Sequence, residues 1–358
     1  MDYQMYYILS LFHSQRATSS SQLLHTFQGK RTPSMFYLVE RNGWHHAFAR
    51  FNNSSDKETE KILEGLFQRG LIIQKDKGFI LTEKGQLISN EFFENRYYPR
   101  ASSFATVNIW KDFWDRYQLF VQTFSEMSYK NNRYVPIIKS PQHQENVRLL
   151  FQQFHHDKEM LLKNWIKEQH FLFEHLDESR ANVLMEQLTG HERVGETKGQ
   201  IQRQLDMEVL EYSFYHQDTI EELLNIIQQH PEELAISYAI LYQLQVETNH
   251  GLSVSTRASF QLLGEGYSIS DIAKIRRLKE NTVREHILEL AFVLFDFPFK
   301  AFIPEKVYQD LKQAFEKNED YSYKEAKSEF KDIEFMYYRL VELERMRQNG
   351  GSVKHNIT

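Results

Sequence analysis

Apolar side chains recur at intervals of three and four residues along most of this chain, the spacing that gives a helix one buried face. Tyr3, Tyr6, Tyr7, Leu9, Leu11 and Phe12 predict a first helix. Ser19, Ser20 and Ser21 offer caps for a second, carrying Leu23, Leu24 and Phe27, because a serine oxygen accepts from the free N–H groups of a first turn. Thr32 ahead of Pro33 starts a third, with proline where its missing N–H costs nothing. Residues 56–60 open a fourth, which has Ile62, Leu63, Leu66 and Phe67 on one face and Gly70 as its stop. Residues 71–75 and 79–82 then form two short apolar runs around Asp76-Lys77-Gly78, the signal of a hairpin. Residues 82–85 lead into a closing helix. Helices followed by a hairpin predict a winged-helix domain over residues 1–95.

The middle, residues 96–250, predicts a central helical domain. Trp110, Phe113, Trp114, Tyr117, Leu119, Phe120 and Phe124 form a stripe at helical spacing, which reads as core and not as a base-stacking platform. Residues 134–138 and Ser140-Pro141 mark a break, and residues 143–176 predict a long helix or a helix pair. Residues 188–197 are a Gly-containing connection, a plain loop or the turn of a degenerate third module, after which Thr197 caps a helix with Ile201 and Leu205. Residues 219–247 predict two more helices, divided near His230-Pro231.

The most specific pattern lies in residues 251–348, the predicted C-terminal helix-turn-helix domain. Residues 268–287 read as two short helices joined by a tight turn. Ser268 or Ser270 caps the first helix; Ile269 and Ile272 face inward; Ala273 is small where two helices cross. Leu278 plugs the turn, and Val283, Ile287 and Leu290 continue the apolar face. Residues 295–299 form an aromatic break, residues 304–315 another helix, and residues 323–330 and 333–346 a further pair. The tail, residues 349–358, reads as disordered. The fold class expected is therefore mainly α.

Composition supports this picture. Gly and Pro number only 14 and 7 in 358 residues, so long stretches lack helix breakers. Hydrophobic residues at 41% suffice for packed cores in two or three domains. Cys is absent, which excludes disulfides and thiolate metal sites and fits a reducing cytoplasm. The first residues carry no signal-peptide pattern and no apolar run is long enough to span a membrane, so no membrane association is expected and a nucleoid-associated location is. The net charge of −6 is uneven. Residues 96–252 hold 15 Lys/Arg against 22 Asp/Glu, whereas residues 1–95 hold 11 against 10. The acidity thus sits in the middle, and the two terminal modules are near neutral, which implies modest, salt-sensitive binding to nucleic acid.

In a helix-turn-helix the second helix enters the major groove. Its outward positions here are Lys279, Asn281, Thr282, Arg284 and Glu285. Asn281 suits adenine, Arg284 suits guanine or a phosphate, and Thr282 a thymine methyl or a phosphate. Lys274, Arg276 and Arg277 flank the turn, where phosphates would lie. Lys75 and Lys77 sit at the hairpin tip, and Lys30 and Arg31 at the entry to the third helix, a place for a phosphate grip. Glu280 and Glu285 oppose this chemistry by repelling phosphate, and the turn lacks the usual glycine.

Catalysis finds little support. His45-His46 and His155-His156 are adjacent pairs that point apart on a helix. His155, Asp157 and Glu159 would ligate a metal only in an unusual loop, so no metal and no cofactor is expected. No His-Glu-x-x-His, nucleophile elbow or phosphate loop is present, and residues 195–199 have glycines and a lysine without the loop's spacing.

Ser255-Thr256, Leu262-Leu263, Gly266, Ser268-Ile269, Ile272-Ala273, Arg276, Leu278, Thr282-Val283 and His286-Ile287, with Ile333, Tyr337, Arg339 and Leu340 beyond them, carry a family resemblance. This region resembles the helix-turn-helix domain at the end of RecQ-type helicases and the corresponding domain of the YpbB family of Gram-positive bacteria. The likeness extends more faintly to residues 29–32, 81–85, 134–136 and 188–191. It implies a non-catalytic companion of a RecQ-like helicase, acting in DNA repair or recombination on double-stranded or forked DNA, with the motor on another chain. Two other readings stay open: a transcription regulator with its own operator, and a protein-interaction adaptor that never touches DNA.

Overall fold

A computed structural model describes residues 1–51, 55–100, 102–154, 158–294, 296–330 and 333–348. The tail 349–358, the first three members of the His155–Glu159 group, and Phe295 of the aromatic break lie outside the described residues. The chain is mainly helical. Its helices are α1 (Tyr3–Ser10), α2 (Ser20–Phe27), α3 (Pro33–Asn42), α4 (Asp56–Gln68), α5 (Glu83–Phe93), α6 (Trp110–Ser128), α7 (Pro141–Gln153), α8 (Lys158–Glu174) and α9 (Glu178–Glu186). They continue with α10 (Lys198–Gln204), α11 (Val209–Gln229), α12 (Ala235–Glu247), α13 (Val254–Gly264), α14 (Ile269–Arg276), α15 (Glu280–Val293), α16 (Glu305–Lys317), α17 (Tyr323–Glu329) and α18 (Phe335–Gln348). The strands β1 (Ile72–Lys75) and β2 (Gly78–Leu81) pair antiparallel, Ile72 opposite Leu81 and Lys75 opposite Gly78.

Several helices are capped where the sequence placed a hydroxyl. Ser19, Thr32, Thr197 and Ser268 each accept from a first-turn N–H, and Pro33 opens α3. The interval 143–176 resolves into a pair, α7 and α8. Helix α11 begins at Val209, well before the expected start near 219, because its face is apolar from Tyr212 and Phe214 onward. Helix α9, which sequence reading passed over, packs Ala181, Val183 and Leu184 inward.

The chain folds into two compact units: residues 1–10, 87–102 and 106–250, and residues 11–86, 103–105 and 251–358. It crosses between them within α5. Residues 11–86 share a unit with the helix-turn-helix region.

In the first unit α6 lies against α7, α11 and α12. Phe113, Trp114, Tyr117, Phe120 and Phe124 are at most 2% exposed, which makes the aromatic stripe core. Polar groups buried there are partnered, as their desolvation requires. Gln187 Oε1 accepts from Trp114 Nε1 at 3.3 Å and meets His216 Nε2 at 2.8 Å. Burial holds His216 well below the ordinary imidazole range, so the neutral ring is the donor.

The second unit is built around α15, which packs against α13, α14, α3 and α18. Phe36 of α3 meets Phe292 of α15 at 5.8 Å between ring centres. Leu23 and Phe27 of α2 and Leu63 and Leu66 of α4 are buried in the same unit. Thr18 adds a bridge to β2, exchanging two 2.9 Å hydrogen bonds with Phe79. Gly78 permits this approach, since a Cβ there would stand 2.6 Å from the Thr18 carbonyl.

Candidate nucleic-acid interface

Helices α13, α14 and α15 form the helix-turn-helix. Ile272, Ala273 and Val283 make its buried centre, with Leu262, Leu263, Ile269 and Leu278 packed around them. Three polar clasps fix the helices. Ser253 caps α13, and buried Glu289 of α15 reaches that cap: it accepts from Ser253 N at 2.6 Å, Ser253 Oγ at 3.1 Å and Thr256 Oγ1 at 2.6 Å. His286 Nδ1 meets Ser259 Oγ at 2.8 Å, and burial, aided by the positive charge of Arg276, pushes the imidazole below its ordinary pKa. Arg276 spans from α14 to α13, donating to Ser255 O at 2.7 Å, to Ser255 Oγ at 3.0 Å and to Ser259 Oγ.

The turn between α14 and α15 is residues 277–279. Arg277 takes the left-handed conformation, φ 53°, ψ 45°, and its N–H and that of Leu278 close the end of α14. This is the position where glycine is usual, because a Cβ there crowds the backbone. Arg277→Gly should therefore raise stability by about 0.5–1 kcal/mol, read as a higher urea midpoint. A lower midpoint would mean that the arginine side chain itself holds the turn.

Only the first two turns of α15 face solvent. Glu280, Asn281 and Glu285 are exposed and Thr282 and Arg284 half-buried, whereas every residue from His286 to Val293 is buried. At 1.5 Å rise per residue the accessible end is roughly 9 Å long, enough for a few base edges.

The eleven candidate contacts divide sharply by environment. Lys274, Arg277 and Lys279 are exposed, and none makes a side-chain hydrogen bond or ion pair among the described residues. They cluster in sequence at the end of α14 and the N-cap of α15. Lys30, Lys75 and Lys77 are exposed as well. The other arginines are engaged. Arg31 turns inward, donating to Phe104 O at 3.0 Å and to Gly251 O, with its guanidinium 5.1 Å from the Phe36 ring centre. Burial pushes its pKa down. Thr32 Oγ1 meanwhile accepts from Met35 N at the start of α3. The expected phosphate grip at residues 30–32 thus keeps Lys30 alone as a solvent-facing cation, because Arg31 satisfies main-chain carbonyls. Arg276 is the clasp described above. Arg284 is held by two carboxylates: Nε donates to Glu334 Oε2 at 2.6 Å, Nη2 to Glu334 Oε1 at 3.3 Å and Nη1 to Glu280 Oε2 at 3.1 Å. Hydrogen bonding to Glu334 raises its pKa further.

A possible cation cluster lies in the first unit, where Asp112, Asp115 and His143 bring ligand atoms within 4.8 Å of one another. Its hydrogen bonding works against a metal. Arg116 Nε donates to His143 Nδ1 at 3.3 Å, which leaves the ring proton on Nε2, the atom 3.6 Å from Asp112 Oδ1. A ring in that tautomer donates toward the carboxylate and has no lone pair there for a cation. Of the adjacent histidines, His45 lies 3.4 Å from Glu40 and His46 is buried.

Residues 255–342 match the family model described as "Helix-turn-helix domain". Such a domain points to DNA binding. The chain is also similar to Protein YpbB of Bacillus subtilis (strain 168), 24% identical over 191 residues that make up 51% of this chain and 52% of that protein. The match thus spans about half the length of either chain. No solved structure matches this sequence. The residues that carried the resemblance are largely internal: Thr256, Arg276, Val283, His286 and Ile287 build the clasps and the core, while the exposed cations lie between them. Among the described residues no helix is long and apolar enough to cross a membrane.

Proposed function

We propose that this chain is a non-catalytic DNA-binding accessory protein that works beside a RecQ-type helicase in repair or recombination, at the nucleoid. The observation that carries the reading is the exposed trio Lys274, Arg277 and Lys279, unpaired among the described residues, which runs from the end of α14 to the N-cap of α15 in a helix-turn-helix domain. In it the trio grips phosphates, Asn281 and Thr282 reach base edges, and Arg276 positions the helices. The hairpin of a winged helix adds Lys75 and Lys77, with Lys30, as a second weak contact. Two weak contacts on one chain reinforce each other through effective concentration. The helicase partnership rests on the C-terminal resemblance alone.

Glu280 and Glu285 beside the trio favour a second reading, an adaptor that binds protein through the same end of α15. Anisotropy of labelled duplex and forked DNA separates the two. Three phosphate contacts give a slope of log K against log salt of about −2.7. No binding even at low salt would leave the adaptor. A complex with the helicase that survives nuclease treatment supports direct contact, and its loss would remove the partnership. A single protected operator in footprinting would turn the reading toward a transcription regulator.

A further inference from the structure

We propose that Glu334 is a built-in competitor of DNA for Arg284, so that the interface rests in a restrained, low-affinity state. The inference rests on the DNA-binding reading above. Arg284 stands on the second turn of α15, at the edge of its accessible end, with its side chain 22% exposed. One carboxylate neutralises a guanidinium, and Glu280, four residues earlier on the same helix, already supplies it at 3.1 Å. Glu334 adds a second, through two hydrogen bonds from a position just before α18. The group of three therefore carries a net negative charge where a phosphate would approach.

The competitor is held in place by its neighbours. Ile333 is buried, and its carbonyl accepts from Tyr323 Oη at 3.2 Å. Glu334 is nonetheless 36% exposed, and half-exposed ion pairs are weak in water. A phosphate backed by Lys274, Arg277 and Lys279 can displace such a partner. Any event that neutralises Glu334 or moves the start of α18 then leaves Arg284 with Glu280 alone, removes the excess negative charge and strengthens binding.

Labelled forked DNA, titrated with the full chain, tests this. Glu334→Ala should bind three- to tenfold tighter than the parent, with a salt slope steeper by about 0.9 for the one added contact. Glu334→Gln, which keeps the shape, should gain part of that. Arg284→Ala should change the parent less than twofold, yet abolish the gain in the Glu334→Ala background. An unchanged or weaker Glu334→Ala chain, beside a parent that binds, overturns the inference. So does a gain that persists in the double variant, since it would reflect net charge alone. If neither the parent nor any variant binds DNA, the DNA-binding reading falls, and this inference with it.

Discussion

Glu289→Ala is expected to lower the protection of α13 against hydrogen exchange by about a hundredfold, equivalent to roughly 3 kcal/mol. Glu289 is 6% exposed and accepts three hydrogen bonds at the start of α13. Hydrogen bonds to a charged acceptor are worth about 1.5–3 kcal/mol each, and a buried donor left alone costs about 1–3 kcal/mol. A carboxylate at a helix N-terminus also faces the positive end of the helix dipole. The loss stays below the sum of these terms, because Ser253 Oγ still caps Thr256 N at 3.1 Å and water reaches the exposed Ser253. Glu289→Gln should cost nearly as much, since its amide presents N–H groups to donors. Exchange measured along residues 254–264 checks this; unchanged protection there would mean that the core alone holds α13.

That clasp illustrates what the sequence could and could not convey. Local chemistry was legible. Thr32-Pro33, Thr197 and Ser268 act within four residues of where they stand, so their caps followed from residue type and spacing. The turn residues Asp76-Lys77-Gly78 joined two strands as expected. The inward face of α14 and α15 was visible in Ile269, Ile272, Val283 and Ile287, because a 3.6-residue period marks it. Partnerships across the fold were not. Arg31 lies 73 and 220 positions from the carbonyls it binds, and Arg284 lies 50 from Glu334. A basic residue in a polar stretch looks the same whether it faces solvent or a distant carbonyl. One partial signal existed: Glu280 and Arg284 are four apart on one helix, a spacing at which opposite charges meet. The sequence reading did not use it and took Arg284 for a groove contact. The grouping of residues 11–86 with the helix-turn-helix region was equally hidden, since it depends on α3 meeting α15 across some 250 residues of chain.

Converting Lys274, Arg277 and Lys279 to Ala together should weaken DNA binding about a hundredfold near physiological salt, roughly 2.7 kcal/mol. The figure follows from counterion release: three contacts with a slope of about −0.9 each, carried from ~1 M to ~0.15 M salt, amount to about two decades. Stability should hardly move, because all three side chains are exposed and without partners among the described residues; removing the left-handed Arg277 side chain leaves an alanine with the same backbone demand. Arg276→Ala should behave in the opposite way. It breaks the bonds to Ser255 and Ser259, so α13 and α14 loosen and affinity falls only as far as the module unfolds. Comparing the two variants by thermal midpoint and by anisotropy separates contact from support. If the triple variant keeps the parent's affinity and salt slope, the phosphate contacts lie elsewhere, and the hairpin cations Lys75 and Lys77 become the next surface to alter.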